Sequence, residues 1–140
     1  MSRAEPPAGR ETFELALAVR PEDIDANGHV NNVVYLRWIQ DVAIAHWCAR
    51  ASAEEQARWA WVVRRHEIDY LRPLKPGDPA RALTWVGEPH GPRFDRFVRI
   101  EGPRGTCAAS RTEWVLLDGI SGRPSRVTPA LLQPFLLPNE

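Results

Sequence analysis

Cysteine is scarce in this chain of 140 residues, and the two that occur, Cys48 and Cys107, lie far apart with no CxxC or His-rich spacing around them. Neither a disulfide framework nor a zinc site is therefore indicated, and both thiols read as buried apolar side chains in a reducing compartment, the cytoplasm. Excess charge of either sign is also missing, because 18 basic residues balance 18 acidic ones. A protein that bound nucleic acid through electrostatics would need a positive surplus, so that class is set aside. Lysine is nearly absent: Lys75 stands alone, leaving 17 of the 18 basic residues as arginine. Arginine suits planar recognition of phosphate, and a general compositional preference for it explains the count equally well. No serine sits in a Gly-x-Ser-x-Gly elbow, and no P-loop or Rossmann glycine pattern occurs, which argues against a serine hydrolase and a nucleotide-binding fold. The opening stretch Met1 to Arg10 carries Pro6, Pro7 and Gly9 and lacks an apolar core, so it reads as neither signal peptide nor membrane span. Residues 1–11 are expected to form a flexible tail, and residues 12–140 one domain without internal repeats.

What is present concentrates between Asp25 and Tyr35. Asp25, Asn27 and His29 put a carboxylate, a carboxamide and an imidazole at every second position, and Gly28 between them is free to take a positive φ. Polar side chains can thus converge without belonging to a helix or strand. From Asn32 the pattern turns apolar nearly all round, which predicts a long buried helix over about Asn31 to Arg50. A half-buried strand over Phe13 to Val19 precedes it. Strand-like segments follow at Trp61 to Leu71, Ala80 to Val86, Phe94 to Glu101 and Cys107 to Leu117, the last three separated by short turns as in an antiparallel meander. Thr128-Pro129 supplies a cap and an N1 proline ahead of a short apolar segment, Ala130 to Leu137. One sheet curled around one helix is the economical way to bury that helix, giving an α+β fold.

These residues resemble a known family. The order of elements, the Asp-x-x-Gly-x-Val-x-x-x-x-Tyr spacing from Asp25 to Tyr35, the Leu71-Arg72-Pro73-Leu74-x-Pro76-Gly77-Asp78 turn and the Asp118-to-Pro124 segment are similar to hotdog-fold thioesterases of the 4-hydroxybenzoyl-CoA thioesterase type. The Asp25-x-Asn27-x-His29-Val30-Asn31-Asn32 stretch is also similar to acyl-carrier-protein (acyl-ACP) thioesterases of plants. Those enzymes carry a further catalytic Glu in the strand after the helix; here Pro73 falls at that position, with Glu67 and Asp69 nearby. The resemblance implies a five-stranded antiparallel sheet wrapped around one helix, a homodimer able to assemble into a tetramer, and an acyl-CoA or acyl-ACP substrate. Coenzyme A enters as part of the substrate, with no cofactor or metal and no nucleic-acid or membrane partner.

Under that resemblance Asp25 is the catalytic carboxylate, attacking the thioester carbonyl or taking a proton from water. Its bland alternative is an Asx-turn satisfying loop amides. Asn27 and His29 would orient the carboxylate or a water, or else only bond the loop. The carbonyl would be polarised by the backbone amide of Asn32, seven residues after Asp25, while the Asn32 side chain caps the helix. Tyr35 is expected at the substrate. CoA phosphates call for cations, and Arg64, Arg65, Arg93, Arg96 and Arg99 are the candidates. His46 and His66 are expected to be satisfied structural residues, and His90 to lie in a turn. Groove depth would depend on how Trp38, Trp61, Trp85 and Phe97 pack. A non-catalytic acyl-thioester binder and a hotdog hydratase remain the other classes.

Overall fold

A computed structural model describes residues 5–137. Strand β1 (Phe13–Leu17) alternates inward and outward residues and ends before Arg20-Pro21, two residues short of Val19. A single 3-10 turn, Pro21–Asp23, leads through the polar loop into helix α1 (Asn32–Arg50). Helix α2 (Ala53–Arg58), closed at its start by a Ser52/Glu55 capping box, turns the chain into β2 (Trp59–Tyr70). Then come β3 (Ala80–His90), β4 (Arg93–Gly102) and β5 (Gly105–Asp118), joined by tight turns with Gly91 and Gly105 at positive φ. Helix α3 (Pro129–Leu132), capped by the Thr128 hydroxyl, and the 3-10 turn Gln133–Phe135 close the described chain. The sheet is antiparallel in the order β1-β3-β4-β5-β2, as the meander pattern leads one to expect.

The sheet curls around α1, and the helix buries Val34, Tyr35, Trp38, Ile39, Val42, Ala43 and His46 against it. The expectation of a helix buried all round is corrected here. Val33 is 68 % exposed and Ile44 53 %, and Cys48, read from sequence as buried, is exposed as well. A single curled sheet covers one side of a helix, and the opposite side has no layer of the described residues to face. Cys107 is buried as expected. On the sheet, Ala82, Thr84 and Val86 point toward the helix while Leu83 and Trp85 alternate to the convex side, where Trp85 stacks on Phe97 at 6.0 Å. Trp85 and Phe97 therefore play no part in shaping a groove beside the helix.

Two further expectations change. His90 ends β3 instead of lying in a turn; a break in register between Val86 and Pro89 lets the strand continue through the proline. Of the expected tail, residues 1–4 lie outside the described residues, but Gly9 to Glu11 are fastened. Arg10 bridges to Leu136, the Glu11 amide donates to the Phe135 carbonyl at 3.1 Å, and the Leu137 amide donates to the Gly9 carbonyl at 2.8 Å. The reason lies inside: Glu11 Oε1 accepts from His46 Nε2 and Arg50 Nε, both at 2.7 Å.

Candidate active site

The loop between the 3-10 turn and α1 is closed on itself by its own backbone. Ile24 and Val30 form an antiparallel bridge, the Asp25 amide donates to the His29 carbonyl at 2.8 Å, and the Gly28 amide returns to the Asp25 carbonyl at 3.0 Å. Gly28 has φ +76°, the left-handed region its lack of a Cβ permits. Asp25 Oδ1 accepts the amides of Asn27 (2.8 Å) and His29 (3.4 Å), so the Asx-turn is real. It occupies one carboxylate oxygen; no described residue donates to Oδ2. A carboxylate held by one oxygen and open at the other is oriented without being neutralised.

The helix start follows. Asn31 is the N-cap: its side chain accepts the Val33 amide at 3.0 Å and its carbonyl the Val34 amide at 2.9 Å. Capping by the Asn32 side chain, expected from sequence, is thus corrected; the cap lies one residue earlier because the Asn31 amide is anchored to the Asp23 carbonyl at 2.8 Å. The amides of Val30, Asn31, Val33 and Val34 all have acceptors, whereas that of Asn32 has none among the described residues. This amide lies at the positive end of the α1 dipole.

Asp25, Asn27, His29, Asn32 and Tyr35 line one cleft, with about 800 Å³ of atom-free space including its open mouth; Tyr70, Arg72 and Pro73 complete its far wall. Asp25 is the sole carboxylate among the lining residues, and Pro73 lines the same cleft. Glu67 is engaged elsewhere, paired with Arg111. Tyr70 donates its hydroxyl to the Asn32 carbonyl at 3.1 Å and meets Tyr35 edge-on, with ring centroids 5.4 Å apart. Burial pushes the Tyr35 phenol up to about 12, so it stays protonated.

The pattern that defines the thioesterase-like superfamily matches residues 19–135. The chain belongs to the thioesterase-like superfamily. No curated protein matches it. Among solved structures it is similar to a thioesterase from Thermus thermophilus complexed with coenzyme A and zinc, at 27 % identity and TM-score 0.77 over 87 % of this chain and 90 % of that one. A 1,4-dihydroxy-2-naphthoyl-CoA thioesterase from Synechocystis (17 % identity, TM-score 0.74, 88 % and 93 % covered) has the same fold. So does a Staphylococcus aureus protein in complex with CoA (15 %, TM-score 0.77, 93 % and 85 %). The fold is the hotdog, and the protein is a thioester hydrolase.

In this thioesterase the arginines expected at the substrate are not brought to the cleft. Arg64 and Arg93 share Glu113, at 2.9 and 3.5 Å, and Arg65 stands 3.8 Å from Glu67. Arg99 pairs with Glu101. Arg96, a candidate for the CoA phosphates, is buried against His46. The cation that does line the cleft is Arg72, inside a turn that the sequence marks as a motif without marking the side chain. A second residue missed from sequence is Asp23, only 2 % exposed, which accepts the Arg20 amide at 2.9 Å and receives Arg37 from α1 at 3.2 Å. It ties the start of the polar loop to α1, and its signal was an acidic residue two before Asp25 with an arginine on the first turns of α1.

Proposed function

We propose that this thioesterase hydrolyses an acyl or aroyl thioester of coenzyme A, with Asp25 as the catalytic carboxylate and the Asn32 amide as the donor to the carbonyl oxygen. The observation that carries this reading is the pairing, in one cleft, of a carboxylate with an open oxygen and a helix-start amide without an acceptor among the described residues. Negative charge developing on the thioester oxygen would be stabilised by that amide and the helix dipole, a contribution that typically amounts to about a hundred- to a thousandfold in rate. Asp25 then acts in one of two balanced ways. As nucleophile it forms a mixed anhydride and expels the thiolate, and water later cleaves the anhydride. As base it takes a proton from water, whose oxygen attacks the carbonyl. The tetrahedral adduct then collapses to the acid with cleavage of the C–S bond, and the CoA thiolate leaves with the proton that Asp25 took up. Asn27 and His29 orient the carboxylate or that water, Tyr35 and Tyr70 wall the acyl carbon, and Arg72 is the cation available to a CoA phosphate. The CoA complexes of the Thermus and Staphylococcus structures support CoA over a carrier protein, as does Pro73 in place of a second carboxylate. The free thiols Cys48 and Cys107 suit a cytoplasmic enzyme.

A homodimer is part of the proposal, with further assembly into a tetramer open to it. β2 is an edge strand of 12 residues, and the uncovered side of α1 carries Val33 and Ile44. An edge of that length invites pairing. Release of free thiol from a panel of acyl-CoAs and acyl-carrier proteins tests the reaction. Turnover of acyl-CoA by the wild type and its loss in Asp25→Asn is the expected result; equal turnover by both proteins removes Asp25 from the reading.

A further inference from the structure

A second cavity lies away from Asp25, between the C-terminal half of α1 and the concave face of the sheet. Trp47, Trp61, Phe94 and Phe135 form an aromatic wall, Trp47 meeting Trp61 edge-on at 5.7 Å and lying parallel to Phe135 at 6.1 Å. Its atom-free space is about 400 Å³ including the mouth. Two groups in this apolar lining are polar. Arg96 is 7 % exposed, and its hydrogen bonds among the described residues, to His46 Nδ1 (2.8 Å) and Thr84 Oγ1 (3.1 Å), both leave from Nη1. Trp114 contributes an indole Nε1–H that is buried and has no acceptor among the described residues.

The charge around Arg96 does not close. Because arginine only donates, His46 Nδ1 must be the acceptor, so its Nε2 carries the proton given to Glu11, and the imidazole is neutral. Glu11 is shared with Arg50. Two guanidinium groups thus face one carboxylate, and no carboxylate of a described residue lies within ion-pair distance of Arg96. A buried cation without a direct counter-ion is costly, and an orphaned indole donor adds to the cost. Both defects border the same cavity, and a single group would relieve both: an anionic oxygen on an apolar body.

We propose that this cavity is a second ligand site, taking a carboxylate borne on an aromatic or aliphatic body, with Arg96 and Trp114 as its donors and the aromatic wall as its apolar lining. Two sources supply such a group. It can be a free carboxylic acid, the product class of the reaction proposed above. It can also be a carboxylate at the far end of the substrate's acyl chain. Twelve helical residues separate Asn32 from Ile44 at the cavity, about 18 Å at 1.5 Å each, so only a long chain would reach. The choice between sources rests on the proposed function; the site itself does not.

The test is a titration of the full-length, isotope-labelled protein with 4-phenylbutyrate and octanoate, each against its primary amide, followed through the tryptophan indole N–H signals. The Trp114 signal is assigned by its absence in Trp114→Phe. The acids should bind at least about tenfold more tightly than the amides and should move the Trp114 signal. Trp114→Phe, which keeps an aromatic ring in the wall, should weaken acid binding about threefold or more. Arg96→Gln should erase the preference for acid; Trp114→Phe keeps the proposal testable where that variant does not fold. Equal binding of acid and amide, or a Trp114 signal that stays still at saturation, overturns the site. Kinetics then assign the source. A KM lower for an ω-carboxyacyl-CoA than for the unsubstituted acyl-CoA, with the difference lost in Trp114→Phe, supports the distal carboxylate. Equal KM values with continued binding of free acid support the separate ligand.

Discussion

Asp25 is held in an Asx-turn that leaves room for the catalytic role proposed for it. Its Oδ1 closes an Asx-turn over Asn27 and His29, and its Oδ2 has no donor among the described residues, so the turn aims the carboxylate instead of consuming it. Asp25→Asn keeps the Oδ1 acceptor and the loop, and turnover should fall by about two to four orders of magnitude with little change in melting temperature. Asp25→Glu should also be poor, since one added methylene moves the oxygen off its line of attack. His29→Ala should cost less than either if the imidazole only orients. Single-turnover hydrolysis in heavy-oxygen water separates the two chemical routes: label in the Asp25 carboxylate supports the anhydride, and label confined to the product acid supports the base.

At the scale of elements, Asn31 caps the start of α1, and the proposed function gives the next amide, that of Asn32, to the chemistry. Asn31→Ala removes the cap accepted from Val33 and should lower stability by about 1 kcal/mol. Asn32→Ala leaves its backbone amide in place and the cap untouched, so activity should largely survive; denaturation and steady-state rates on the two variants check the division. A loss of activity in Asn32→Ala at unchanged stability would point to the carboxamide itself. Further along the helix, His46 fixes a pH dependence. It is fully buried beside the Arg96 cation, and burial first, then that charge, bring its pKa from 6.5 down to about 4. The unfolded chain therefore takes up a proton near pH 6.5 that the folded chain refuses. Stability is complete above that value and falls as pH drops toward 4, by up to about 3 kcal/mol. Glu11 works in the same direction at lower pH: burial opposes its ionisation, but hydrogen bonds from Arg50 and His46 outweigh that and hold its carboxyl below 4.5. Thermal unfolding of wild type and His46→Gln across pH 4 to 8 measures the effect, and the acid-side loss should be smaller in the variant.

For the whole molecule, assembly depends on what a single chain leaves uncovered. Val33 and Ile44 on α1 are exposed, as is Val62 on β2, and β2 pairs with β5 alone among the described strands. Sedimentation at micromolar concentration should give a dimer or a multiple of it; a fully active monomer would refute that assembly.

Much of the fold was legible in the chain because it follows from local periodicity. The alternation of Phe13 to Leu17, the long apolar run after Asn32 and the turn residues around Gly77, Gly91 and Gly105 specify element type and order, and the Asp25 to Tyr35 spacing locates the cleft. What could not be read is partnership across distance. That Asp23 would hold Arg37, that Glu11 would leave the tail for His46, and that Arg96 would turn inward while Arg64 and Arg93 closed on Glu113 all depend on strands brought side by side from remote parts of the chain. The residue types along this sequence determined which segments are helix, strand and turn, because each is set by neighbours a few positions away. Which arginine is buried, which cation meets the cleft and which face of α1 stays open were decided only by the tertiary structure, since burial and charge pairing are properties of the curled sheet.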